Sequence, residues 1–148
     1  MSEPRSSKVV LRSDMIFTAY NNSFTIPLDA RPEAGGHSAG VSPMSLMLTS
    51  LAGCTAMDVI SILRKKQQDV TAFEVEVEGV RADEHPRVFT EIWVRFTVTG
   101  HSVSETAVAR AIELSRDKYC GAAATLRHTA TLHYSHEIIE AAEPEVTP

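Results

Sequence analysis

Cysteine is scarce in this chain of 148 residues, which has two, Cys54 and Cys120. Two cysteines exclude a disulfide-rich secreted scaffold, and in a reducing compartment both are expected as thiols. Cationic excess is missing too. Fourteen Lys and Arg stand against nineteen Asp and Glu, for a formal net charge of −5. That balance argues against nucleic acid or an anionic membrane as a general partner. No apolar core segment follows the first methionine, since residues 1–7 are polar; no signal peptide is expected, and the expected location is cytoplasmic. There is no internal repeat, no Cys-x-x-Cys and no His-x-x-x-His pair. His133 and His136 are three apart, which places them on opposite faces of a strand, so no metal site is expected. The glycines at 35, 36 and 40 lack the lysine and hydroxyl of a phosphate loop, and no Ser/His/Asp grouping carries a local signature.

One long apolar run is present. Residues 46–63, LMLTSLAGCTAMDVISIL, approach bilayer-spanning length. Asp58 and the hydroxyls of Thr49, Ser50, Thr55 and Ser61 interrupt it, and a carboxylate near mid-bilayer is costly. A buried helix in a protein without a membrane partner is the expectation. The basic cluster Arg64-Lys65-Lys66 then complements the negative end of that helix.

The length makes one domain, residues 1–148, the default, with room for a hydrophobic core. Strands are expected at Lys8–Arg12, Asp14–Tyr20 and Ser23–Ile26, with a turn at Asn21-Asn22. After a glycine-bearing loop, Ser42-Pro43 marks a helix start, a hydroxyl at the N-cap and proline in the first turn. That helix is expected to reach about Gln67. Phe73, Val75 and Val77 alternate with three glutamates, giving a half-buried strand. Val88, Thr90, Ile92, Val94, Phe96 and Val98 mark one face of the next, with Trp93 opposite. Ser102 and Glu105 have the spacing of a capping box opening a second helix. That helix breaks near Cys120-Gly121, and a short helical turn follows over Ala122–Leu126. A last strand is expected over Thr129–Ile138, with residues 139–148 as a frayed tail. The order βββαββααβ gives an α+β fold.

Each cysteine sits among small and apolar residues: Leu51-Ala52-Gly53-Cys54-Thr55-Ala56-Met57-Asp58 and Lys118-Tyr119-Cys120-Gly121-Ala122-Ala123-Ala124. These strings resemble the two cysteine boxes of the OsmC/Ohr family (osmotically inducible protein C-like and organic hydroperoxide resistance proteins), above all its YhfA-like branch. The likeness continues through Ser42-Pro43-Met44, Asp58-Val59-Ile60-Ser61-Ile62-Leu63, Val88-Phe89-Thr90, Val98-Thr99-Gly100, Ala107–Ala111 and Glu113-Leu114-Ser115. The resemblance implies an OsmC-like fold of antiparallel strands with a long central buried helix, assembled as an intertwined homodimer. It also implies reduction of organic hydroperoxides without a resident cofactor. Cys54 would attack the peroxide and Cys120 would resolve the product. An external dithiol, such as a lipoyl-bearing protein, would regenerate the pair.

The residues themselves set conditions on that chemistry. A thiol attacks peroxide as thiolate, and an unperturbed cysteine is only a few per cent ionised at neutral pH. Cys54 lies about twelve residues into the expected helix, too far from its positive end for the dipole to help. Free cysteine also behaves as a small hydrophobe, so two inert core residues are the competing reading. The family's peroxidases place a glutamate after the proline that opens this helix, paired with an arginine near the thiol. Here Met44 and Ser45 occupy that turn, Glu33 is the nearest preceding candidate, and neither Arg12 nor Arg31 sits in a specific motif. Gly121 also stands where many of those peroxidases have proline. Two functions stay open: a hydroperoxide reductase, or a protein that binds an apolar small molecule or senses oxidants without efficient turnover. Leu51 and Met57 beside Cys54 favour bulky organic hydroperoxides over hydrogen peroxide. The helix is apolar all round, through Leu46, Met47, Leu48, Leu51, Met57, Val59, Ile60, Ile62 and Leu63. Such a helix needs cover on every side, and pairing across a homodimer two-fold would supply it.

Overall fold

The structure, a computed structural model, describes residues 2–144 and Val146. Among the described residues are six strands and three α-helices in the order βββαββααβ, the α+β arrangement read from the sequence. The chain falls into two compact units, Met1–Met47 and Leu48–Pro148.

The first unit is an antiparallel sheet of β1 (Lys8–Ser13), β2 (Ile16–Asn21) and β3 (Phe24–Leu28) in sequence order. Asp14 and Met15 are the turn between β1 and β2, not the start of a strand, and Asp14 adopts a left-handed φ of 48°. Asp tolerates that region because its short side chain bonds locally; its carboxylate faces His37 at 3.1 Å. The loop after β3 is organised by the buried Asp29. Its carboxylate accepts the backbone N–H groups of Ala30, His37 and Ala39. Three donors hold its pKa below the usual carboxylate range, with Ala39 the largest contributor.

Helix α1 (Pro43–Lys65) begins as the sequence indicates, with the Ser42 hydroxyl accepting the Ser45 N–H at 3.2 Å. It ends with Arg64 and Lys65 in the last turn, against the exposed carbonyls. By length and composition α1 would suffice to cross a membrane, and 22% of its apolar window is buried within the chain. The buried residues, Leu51, Thr55, Val59 and Leu63, recur every fourth position and form one stripe. Met57 is 74% exposed. The chain therefore covers one side of a helix that is apolar on several.

In the second unit β4 (Asp69–Arg81), β5 (Phe89–His101) and β6 (Thr131–Glu140) form a sheet with β5 at the centre. The core lies on one face, where Ile92, Val94, Phe96 and Val98 of β5 are fully or almost fully buried. Phe73 and Tyr134 stack on the two sides of Phe96, each with ring centroids 6.4 Å away. On the other face Trp93 stacks on His133 and Arg95 pairs with Glu78. Val88 and Thr90 do not extend the buried face as their alternation predicts. The register shifts between Val80 and Arg81, so Arg81 pairs with Phe89, and Phe89 is the residue buried. A bulge adds one residue and reverses the face on which its neighbours along the strand lie.

The last strand pairs parallel to β5, whereas the other strand pairs among the described residues are antiparallel. A parallel neighbour requires a crossover connection, which α2 (Glu105–Leu114) and α3 (Gly121–Leu126) provide. The N-cap of α2 is Ser104, whose hydroxyl accepts the Ala107 N–H, and not Ser102. Ser102 instead turns through a φ of 49° and donates its N–H to the Glu140 carboxylate. Glu105 pairs with His136, so the expected capping box does not form. Strand β6 runs to Glu140, with Ile139 opposite Thr99. The terminal stretch thus starts at Ala141, two residues later than expected, and Glu145, Thr147 and Pro148 lie outside the described residues.

Candidate functional site

The two cysteines, 66 positions apart in sequence, are brought together in the second unit. Their sulfurs and a carboxylate oxygen of Asp58 all lie within 4.8 Å of one another. Cys54 and Asp58 share a face of α1 because they are four residues apart. Cys120 arrives from the crossover between α2 and α3. Between those helices Ser115–Tyr119 forms a π-helical turn, closed by a 2.8 Å bond from the Cys120 N–H to the Ser115 carbonyl. Such wide turns are rare and concentrate at functional sites. The first residue of this one, Ser115, is completely buried, and the turn delivers Cys120 to the N-cap of α3.

The hydroxyls around the thiols form a short chain. Ser115 Oγ donates to Asp58 Oδ2 at 2.9 Å and is 2.8 Å from Thr55 Oγ1. Thr55 and Ser115 are both fully buried, so each hydroxyl depends on this network for its partner. Asp58 is thereby held in orientation beside the sulfurs.

The two thiols differ in access. Cys54 is half-buried, whereas Cys120 is 2% exposed. Burial pushes the Cys120 thiol up to about 11. The Ala123 N–H, 3.4 Å from its sulfur, acts against that shift, while Cys54 and the negative charge of Asp58 add to it. Cys120 therefore keeps its proton at neutral pH, and Cys54 is the sulfur a solute can reach.

Tyr134 stands behind Cys120. Its hydroxyl is buried without a hydrogen-bond partner, and its pKa is pushed up to about 12, first by burial and then by Cys120. Tyr134 lines a cavity of about 190 Å3 with Arg116, Asp117, Arg127 and Leu132. The Arg116 guanidinium lies 5.9 Å from the Tyr134 ring centre and donates two bonds to Asp117.

Of the residues singled out from sequence, Cys54 and Cys120 converge. His133 and His136 do not: one faces Glu91 and the other Glu105. Arg12 is engaged within the first unit by Thr18 and Tyr20, and Arg31 stands at the N-cap position of a 3-10 turn over Pro32–Ala34 without a capping bond from its side chain. Sequence reasoning misses Asp58, Ser115 and Tyr134 as members of the site. Only Asp58 carries a readable signal, its four-residue spacing from Cys54.

A family model described as OsmC-like protein matches residues 35–135. Protein YhfA of Escherichia coli K12 is 44% identical over 100 residues, spanning 68% of this chain and 75% of YhfA. Among solved structures, a hypothetical protein from Aquifex aeolicus VF5 superposes with a TM-score of 0.85 at 28% identity, over 95% of this chain and all of that one. An organic hydroperoxide resistance protein OsmC from Legionella pneumophila superposes at 0.70 and 12% identity, over 90% of this chain and 96% of that one. The second likeness is one of fold.

Proposed function

The chain belongs to the OsmC-like protein family, and from that membership and its paired thiols we propose that it is a cysteine-based reductase of organic hydroperoxides. The observation that supports this reading best is the approach of one accessible and one buried sulfur. Cys54, as thiolate, attacks the distal oxygen of ROOH. The O–O bond breaks, Cys54 becomes a sulfenic acid, and the alkoxide leaves as alcohol after taking a proton. Cys120 then attacks the sulfenic sulfur, water leaves, and a disulfide forms before further oxidation can occur. An external dithiol, for which a lipoyl-bearing protein is the proposed source, reduces that disulfide by exchange. No resident cofactor enters the cycle, and a reducing cytoplasm suits it.

Apolar side chains on α1 favour substrates with a hydrocarbon body, because hydrogen peroxide has no apolar area to bury. Stopped-flow oxidation of the reduced chain tests both points. Cumene hydroperoxide should consume the thiols at least about tenfold faster than hydrogen peroxide, since about 1.4 kcal/mol of apolar burial yields that ratio. Equal rate constants would remove the substrate assignment.

A second reading has an observation of its own. Asp58 adds negative charge beside the thiols, and Met44 and Ser45 stand where the family's peroxidases carry a glutamate. The first raises the Cys120 pKa, and the second leaves that turn without the family's carboxylate; an oxidant sensor or apolar-ligand protein without efficient turnover would tolerate both. Steady-state consumption with dithiothreitol or a lipoyl dithiol separates the two: a sensor oxidises once and stalls.

The functional form we propose is a homodimer that covers the open sides of α1. Its mass by sedimentation should be twice 16.2 kDa; a monomer mass for folded protein would rule this out.

A further inference from the structure

We propose that Cys54, Asp58 and Cys120, in the reduced protein, form a binding site for a thiophilic divalent cation, with Zn2+ as its representative. The donor set stands independently of any peroxide chemistry. Three atoms no further than 4.8 Å apart lie within about 2.8 Å of a common point, against Zn–S and Zn–O bonds of about 2.3 and 2.0–2.2 Å. Contraction by about 0.5 Å at each sulfur and about 0.7 Å at the oxygen is within reach of side-chain rotation. Two of the donors sit one helical turn apart on α1, so their spacing is held by backbone geometry.

The surroundings already orient these donors. Ser115 fixes one carboxylate oxygen of Asp58, Thr55 fixes Ser115, and the Ala123 N–H meets the Cys120 sulfur. Outer hydrogen bonds of this type set ligand direction in metal sites. Among the described residues, no Lys, Arg or His forms an ion pair with Asp58. A cation would supply the charge that this acidic trio lacks.

The chemistry narrows the choice of ion. Two sulfurs and one carboxylate suit Zn2+ or a similar borderline-soft ion, and they disfavour Mg2+ and Ca2+, which take oxygen ligands. Three protein ligands leave a fourth position, and the half-buried Cys54 opens it to water. Binding displaces the thiol protons to solvent and ties up both sulfurs; a disulfide removes both donors, so occupancy and oxidation exclude one another.

The test uses the full chain, reduced under nitrogen, with Co2+ as the spectroscopic probe and Zn2+ as competitor. One equivalent of Co2+ should produce a sulfur-to-cobalt charge-transfer band and the visible bands of a tetrahedral ion, both removed by one equivalent of Zn2+. Cys54→Ser and Cys120→Ser should each weaken the charge-transfer band by about half or abolish it, since each removes one of two thiolates. Asp58→Asn should weaken Zn2+ binding at least about tenfold, and Asp58→Glu should recover part of the loss. The diamide-oxidised chain should bind nothing at this site. A cobalt spectrum without sulfur bands, or equal Zn2+ affinity in the parent and in Cys54→Ser/Cys120→Ser, would overturn the site. Unchanged affinity in a folded Asp58→Asn would remove Asp58 from it. None of these readouts depends on peroxide turnover, so a failed peroxidase assay and a failed metal titration are separate results.

Discussion

The surroundings of Cys54 and Cys120 belong to one site but are built by different means. Cys54 sits in the middle of a regular helix, with its sulfur half-buried. Cys120 sits at a break, after a π-helical turn and at the N-cap of a six-residue helix, and is sealed from solvent. A mid-helix position costs little to make and leaves the sulfur reachable. The break is more demanding: it ends one helix, starts another and seals in a thiol whose pKa burial raises. Two identical side chains thereby acquire different exposure. In the proposed cycle, this difference assigns attack to one and resolution to the other.

The most severe way to break that comparison is to remove the accessible sulfur. Cys54→Ser should reduce the rate of hydroperoxide consumption by about a thousandfold or more, because a hydroxyl is a far weaker nucleophile. Peroxide loss measured with excess dithiol decides it, and a parent-like rate would transfer the attack elsewhere. Cys120→Ser should act differently. The first turnover should proceed, and a sulfenic acid or an over-oxidised form should accumulate on Cys54, seen as added oxygen in the intact mass. If Cys120→Ser neither traps an oxidised form nor slows recycling, the buried thiol has no part in resolution.

A smaller effect follows from pH. The folded Cys120 thiol holds its proton to about 11, against 9.0 for the unfolded chain. Below pH 9 its contribution to stability is constant. As pH rises from 9 to 11 the unfolded chain ionises first, so stability falls, by about 2 kcal/mol for a shift of this size. Urea unfolding of the reduced protein across that range should show a steeper decline than Cys120→Ala does. Tyr134, whose pKa is also raised, depresses both at higher pH. Parallel curves would mean that the buried thiol is not destabilised as an anion.

The smallest expected change is Ser115→Ala, which removes the hydroxyl linking Thr55 to Asp58. It should cost about 1–2 kcal/mol of stability, the usual penalty for a buried hydrogen-bonding group left without its partner. A neutral effect in urea unfolding would show that Thr55 and Asp58 find other partners.

Much of the fold is legible in the sequence, for identifiable reasons. The Ser42-Pro43 start of α1 is a local capping rule, and the alternation along β4 reports a sheet face directly. The two cysteine boxes point to the two sulfurs that meet. Features set by tertiary context are not legible in the same way. The bulge that swaps Phe89 for Thr90 depends on the pairing partner and not on the strand's own pattern. Ser104 replaces Ser102 as a cap because Ser102 turns toward Glu140, on a strand 38 residues away. Ser115 keeps the helical spacing of Ala111 and Ile112 and so falls on the buried face, but its bonds to Thr55 and Asp58 depend on α1 and do not show in that spacing. Asp58 is visible in the sequence as an interruption in an apolar run; its role beside Cys54 and Cys120 needs the second helix in place.

The most direct measurement is a stopped-flow single turnover of the reduced full chain with one equivalent of cumene hydroperoxide, followed by a free-thiol count. The proposed cycle predicts rapid loss of both thiols per hydroperoxide, an intramolecular disulfide joining Cys54 and Cys120, and recovery of two thiols on adding a dithiol. Both thiols still present after the hydroperoxide has been supplied, or oxidation no faster than that of free cysteine, would contradict it.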